Sequence, residues 1–164
     1  MILYHGSNVI VKEPRIIHTE QGRDFGFGFY TTDIHDQVIR WAIRKAKIAA
    51  RRGMEYTPYV SLFEFDETAL GKLKYKGFDT PSLDWLDMVC ACRSQADYVH
   101  GYDIVSGKIA DDNVGETVTY VMQGIMRKED AVERLKFEQI NNQICFNTEA
   151  ALESLRYIGY EDCR

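Results

Sequence analysis

Three short segments, far apart in the chain, carry residues able to do chemistry. The first is Tyr4, His5, Gly6 and Ser7; the second runs from Gly26 through Gly28, Tyr30, Thr31 and Thr32 to Trp41; the third is Asn141, Asn142 and Gln143. An imidazole offers one donor and one acceptor, and a glycine lets backbone approach a flat ligand closely. Aromatic faces stack on flat cationic rings. Glutamine donates and accepts but brings no charge and cannot act as a base.

Several lookalikes are excluded. Asp24, Phe25 and Gly26 spell the kinase DFG, but no HRD catalytic loop accompanies them, and 164 residues cannot hold two kinase lobes. The glycines at 26 and 28 lack the third glycine of a dinucleotide fingerprint and follow a polar connector rather than a strand. No GxxxxGK[ST] phosphate loop is present.

The surrounding elements follow from pattern. Residues 1–7 form an apolar run closed by Gly6 and Ser7, a strand feeding a loop. A helix is expected from Thr31, with Asp33 and Asp36 at its positive end, apolar positions at Ile34, Val38, Trp41 and Ala42, and Gly53 after a basic end. Its cations at residues 40–52 suit the helix C-terminus and are expected to form a solvated face. Residues 59–65 read as a strand, with a second short one near residues 72–75. A helix begins near Pro81, with Leu83, Leu86, Val89 and Cys90 on one stripe, followed by a buried strand within residues 101–112. Helical patterns cover about 114–126 and 128–137, the latter spacing Asp130 and Arg134 for a pair. A strand at 143–147 and a last helix capped by Thr148 complete the chain. Strands and helices mix without regular alternation, which predicts an α+β domain with a mainly antiparallel sheet.

Bulk properties agree with one domain spanning residues 1–164. Hydrophobic residues make up 45% and charged residues 27%, ordinary globular usage. The formal net charge of -5 offers nucleic acid no general attraction. Cys90, Cys92, Cys145 and Cys163 form no CxxC pair and have no histidines at zinc spacing, so reduced thiols and no metal are expected. With no basic start, long apolar run or spanning segment, the expected location is the cytoplasm, without a membrane partner.

Taken together and in order, the segments resemble the ADP-ribosyltransferase superfamily, in the branch shared by diphtheria-type toxins and poly(ADP-ribose) polymerases. The chain is also similar to a small bacterial family of that branch consisting of little more than the catalytic domain. The similarity runs from Leu3 to about Tyr157, strongest in the first two segments. It implies two abutting, mainly antiparallel sheets with an NAD cleft between them. Tyr4, His5, Gly6 and Ser7 match the aromatic-His-Gly-Ser/Thr strand end, so the resemblance places His5 on the adenosine ribose of NAD and the Gly6 backbone on the carboxamide. Gly26, Gly28, Phe29 and Tyr30 match the second motif and Trp41 its later aromatic, which makes Tyr30 and Trp41 a sandwich for nicotinamide. Val38 stands where relatives often carry a carboxamide-binding Ser, and Ser7, Thr31 or Thr32 are the substitutes.

Gln143 takes the place of the family's catalytic Glu on the nicotinamide ribose. Loss of that carboxylate removes charge from where an oxocarbenium-like sugar develops. Single-unit transfer to a macromolecule is the expected activity, with NAD as co-substrate and His5, Tyr30 and Gln143 as its central residues. NAD hydrolysis and an NAD-binding module without turnover are the alternatives, and Glu138 or Glu149 could instead bring an acid into the site. A toxin held by a neutralising partner is a further expectation, since such an enzyme endangers its host.

Overall fold

The computed structural model describes residues 1–18, 23–95, 97–108, 112–136 and 141–164, with the backbone alone for residues 112 and 113. Its elements are β1 (Ile2–Ser7), β2 (Phe29–Thr31), α1 (His35–Arg51), β3 (Tyr59–Phe65), a 3-10 turn (Glu67–Gly71), β4 (Tyr75–Gly77), α2 (Leu83–Ser94), β5 (Ile104–Lys108), α3 (Asp112–Met122), α4 (Lys128–Leu135), β6 (Asn142–Phe146), α5 (Glu149–Leu152) and β7 (Leu155–Asp162). They build an α+β domain with two sheets, β1-β3-β7 and β2-β6-β5-β4. All pairings are antiparallel except β4 with β5. Tyr4 and Thr32 join the sheets by exchanging two backbone hydrogen bonds, of 2.8 and 2.9 Å.

Strand alternation distributes the core. Phe29, Ile144 and Phe146 face Leu3, Phe63 and Phe65 between the sheets. Tyr30 and Cys145 point the other way, toward Phe25, Trp85 and Leu86 under the helical layer. Helix α1 instead covers the three-stranded sheet, packing Val38 and Ala42 on Val60.

Several expectations shift. The helix expected from Thr31 starts at His35, because Thr31 closes β2 and Thr32 bridges to β1. Sheet pairing outweighs local helix signals there. The short strand near residue 72 sits at Tyr75–Gly77. The first of the two later helices ends at Met122, and the second is described to Leu135, the expected residue 137 lying outside the described residues. Asp130 pairs with Arg127 at 3.0 Å rather than with Arg134. Thr148 does cap a last helix, accepting from Ala151 N at 3.2 Å, but that helix is one turn long. Strand β7 then follows, which the sequence pattern did not suggest, along the free side of β3. Among the described residues, no helix is long and apolar enough to cross a membrane.

Candidate functional site

The candidate site grows from the junction of β1 and β2. His5 is half-buried, its ring stacked on Phe29 with centroids 4.2 Å apart. His5 Nδ1 lies 2.7 Å from the Tyr30 carbonyl oxygen, which can only accept, so Nδ1 carries the proton and Nε2 is an acceptor. Burial, with help from Lys45 and Arg23, pushes the His5 pKa down to about 3, although the Tyr30 carbonyl works the other way. The imidazole is therefore neutral and held in one tautomer. Lys45 belongs to the basic run of α1 expected to be a solvated face; it is half-buried and acts on His5, while Arg44, Lys47 and Arg51 are exposed.

Gly6 has a steric reason of its own. A Cβ there would lie 2.8 Å from the Val38 carbonyl oxygen and 2.9 Å from Ala42 N, so α1 rests directly on this strand. Val38, standing where relatives carry Ser, is fully buried beneath that crossing. Trp41 stands on the same turn of α1, with its Cβ 3.2 Å from the same point.

The glycine turn is clamped from several sides. Gly26 takes φ +80, which favours glycine, and a Cβ on Gly28 would meet Cys145 Sγ at 2.5 Å and the Phe146 carbonyl at 2.8 Å. The Tyr30 hydroxyl donates to Gly26 O at 2.6 Å and accepts from Phe25 N at 3.0 Å. Asn147 Nδ2 donates to the carbonyls of Phe25 and Phe27 at 2.8 and 2.9 Å, and His100 Nε2 lies 2.9 Å from Phe25 O. His100 is thus part of the clamp.

Tyr30 is only 6% exposed, and the Arg23 guanidinium carbon sits 4.1 Å from its ring centroid. Burial raises the Tyr30 pKa well above its ordinary value. Trp41 packs with Val38, Ala42 and Val60, so the two aromatics expected to sandwich a ring belong to different clusters. Thr31 is fully buried and donates to Ile144 O at 2.9 Å, and Thr32 accepts from Ile34 N at 3.1 Å. Among the described residues, the hydroxyl of Ser7, itself buried, makes only contacts of 3.4 and 3.5 Å and is the least committed of the three.

Gln143 is 3% exposed, and its Nε2 donates to Asp24 Oδ2 at 3.0 Å. Asp24, 6% exposed, is paired through Oδ1 with Arg93, whose Nε and NH2 lie at 2.8 and 2.6 Å. Sequence reasoning passed over both partners: Asp24 was only the first letter of a rejected kinase motif, and Arg93 was not considered. A polar residue opening a glycine turn was the available signal. Of the acids considered from sequence, Glu149 is exposed on α5 beyond the far end of β6, and Glu138 lies outside the described residues. Burial pushes the Cys145 thiol up to about 12, which keeps it protonated and a poor nucleophile. Among the described residues, no group of three or more His, Cys, Asp or Glu could hold a metal ion.

His5, Tyr30 and Gln143 therefore come from distant segments onto neighbouring strands, β1 bridged to β2 and β2 paired with β6. The molecule is an α+β domain whose two sheets join where Tyr4 of β1 bridges Thr32 at the end of β2. The chain belongs to the DUF3990 family, described as a protein of unknown function, whose model matches residues 1–157. No curated protein and no solved structure matches it.

Proposed function

We propose that the protein is a mono-ADP-ribosyltransferase that takes its ADP-ribose from NAD, releases nicotinamide and modifies a macromolecular acceptor. The observation that carries this proposal is the placement of His5, Tyr30 and Gln143 on neighbouring strands at the sheet junction, with α1 laid over Gly6. In the proposed site the acceptor Nε2 of neutral His5 receives a hydrogen bond from the adenosine ribose. Arg23 leaves the face of Tyr30 so that nicotinamide can stack there, and Arg23 and Lys45 then face the pyrophosphate. Gln143 Oε1 accepts from a hydroxyl of the nicotinamide ribose.

The bond between the ribose C1′ and nicotinamide breaks with its electron pair leaving on nicotinamide. An acceptor lone pair forms the new bond to C1′, and the acceptor's proton passes to solvent. Gln143 cannot take a proton, which favours transfer of one unit over activation of a ribose hydroxyl for chain growth. A cell carrying such an enzyme needs protection, so a neutralising partner is part of the proposal; harmless expression of the active enzyme alone would remove it.

Nicotinamide release, measured with and without cell lysate, tests the activity. Release that depends on lysate supports transfer, and release without lysate assigns NAD hydrolysis. NAD binding without release leaves a binding module, a result favoured by Gln143 in place of an acid. Absence of NAD binding refutes the donor site.

A further inference from the structure

We infer that Asp24 is a positioning residue that sets the polarity of the Gln143 amide, turning the amide oxygen toward the ligand. This rests on the NAD site proposed above and assigns a device that makes a neutral residue serve there. The two ends of a glutamine amide have nearly the same shape and opposite hydrogen-bonding character. A neighbour of fixed character must choose between them. An ionised carboxylate can only accept, and an arginine can only donate. Arg93 donates to Asp24 Oδ1 through two contacts of 2.8 and 2.6 Å, and Asp24 Oδ2 accepts from Gln143 Nε2 at 3.0 Å. The chain of character therefore runs donor, acceptor, donor, and ends with Gln143 Oε1 presented as an acceptor. No hydrogen bond among the described residues takes up that oxygen.

Burial strengthens the effect. Asp24 and Gln143 are 6% and 3% exposed, so the charge on Asp24 acts across a medium less screening than water and polarises the amide toward Oε1. The catalytic strand thus offers a partial negative charge rather than a full one. The clamp on the glycine turn holds Asp24 in register with β6: Tyr30 and Asn147 fix Gly26, Phe25 and Phe27, directly after Asp24.

Swapping the two characters tests the inference. In the Asp24→Asn variant, Arg93 claims the new carbonyl oxygen, the new NH2 faces Gln143, and the glutamine amide must turn over. NAD affinity is then expected to fall on the order of tenfold, as one acceptor is lost to the ligand. Gln143→Glu alone sets two carboxylates side by side and is expected to weaken binding as well. The double variant, Asp24→Asn with Gln143→Glu, restores an acceptor–donor match and is expected to bind NAD within a few-fold of the parent. It keeps one carboxylate in the pair, so it remains informative if Asp24→Asn alone does not fold.

A readout apart from NAD is the pair of Gln143 side-chain NH2 resonances in nitrogen-edited NMR. They should be protected from exchange in the parent and lose that protection in Asp24→Asn. Equal binding by Asp24→Asn, a double variant no better than the worse single one, or an unprotected amide in the parent overturns the inference. A parent that binds no NAD yet shows the protected, Asp24-dependent amide refutes the donor site and upholds the polarity. A parent that binds NAD with an unprotected amide does the reverse.

Discussion

Protonating His5 should cost the fold stability, and the size of the loss follows from its surroundings. The folded pKa of about 3 lies well below the ordinary 6.5, burial being the first cause and Lys45 the second. The unfolded chain therefore holds the proton more tightly, so stability is full above about pH 6.5 and is lost as pH falls toward about 3. At about pH 4.5 the unfolded imidazole is two pH units below its pKa while the folded one is still neutral, a penalty of up to about 3 kcal/mol. Because His5 is only half-buried, water screens part of this, and about 1–3 kcal/mol is the expected range.

His5→Gln isolates the effect, since its amide can still donate to the Tyr30 carbonyl but does not titrate. Urea unfolding of both proteins at about pH 7 and about pH 4.5 gives the double difference, in which other titrating groups cancel. Equal losses of stability in the two proteins between those pH values would refute the placement of a neutral, Nδ1-protonated His5. The same placement predicts that NAD affinity shows no inflection near pH 6.5.

Other outcomes follow from single contacts. Gly6→Ala places a methyl 2.8 Å from one α1 backbone atom and 2.9 Å from another, so the helix must move, with an expected loss of about 1–3 kcal/mol in chemical denaturation. An unchanged midpoint would show that α1 does not rest on β1. Arg23→Ala clears the face of Tyr30, and calorimetry should find free nicotinamide binding a few-fold tighter as a competing cation–π contact of about 0.5–1 kcal/mol is lost. Unchanged or weaker binding would show that the guanidinium does not compete. Gly28→Ala drives a methyl into Cys145 and the Phe146 carbonyl; β2 should separate from β6, reported by faster amide exchange at Phe29 and Thr31.

Much of the scaffold was legible because it is encoded locally. The apolar run of β1 ends at Gly6, the branched and aromatic residues of β3 cover Tyr59–Phe65, and Thr148 occupies a helix N-cap with the expected hydrogen bond. The absence of a carboxylate at Gln143, and the placement of Ile144 and Phe146 opposite Cys145, also follow from the chain alone. Strand β2 was not legible, since three residues are too short to show alternation and their pairing comes from β6. Strand β7 was hidden for a similar reason: its partner is β3, far back in the chain.

The residue types His5, Tyr30, Trp41 and Gln143, and the neutrality of the last, were determined by the sequence itself. Tertiary structure alone decided that Tyr30 lies under the helical layer while Trp41 packs on the other sheet, that Arg23 covers the Tyr30 ring, and that Asp24 meets Gln143 across a separation of 119 positions. Periodicity and capping report interactions a few residues apart, whereas a carboxylate–amide contact between a glycine turn and a distant strand exists only once β2 has paired with β6 and the turn has been clamped to it.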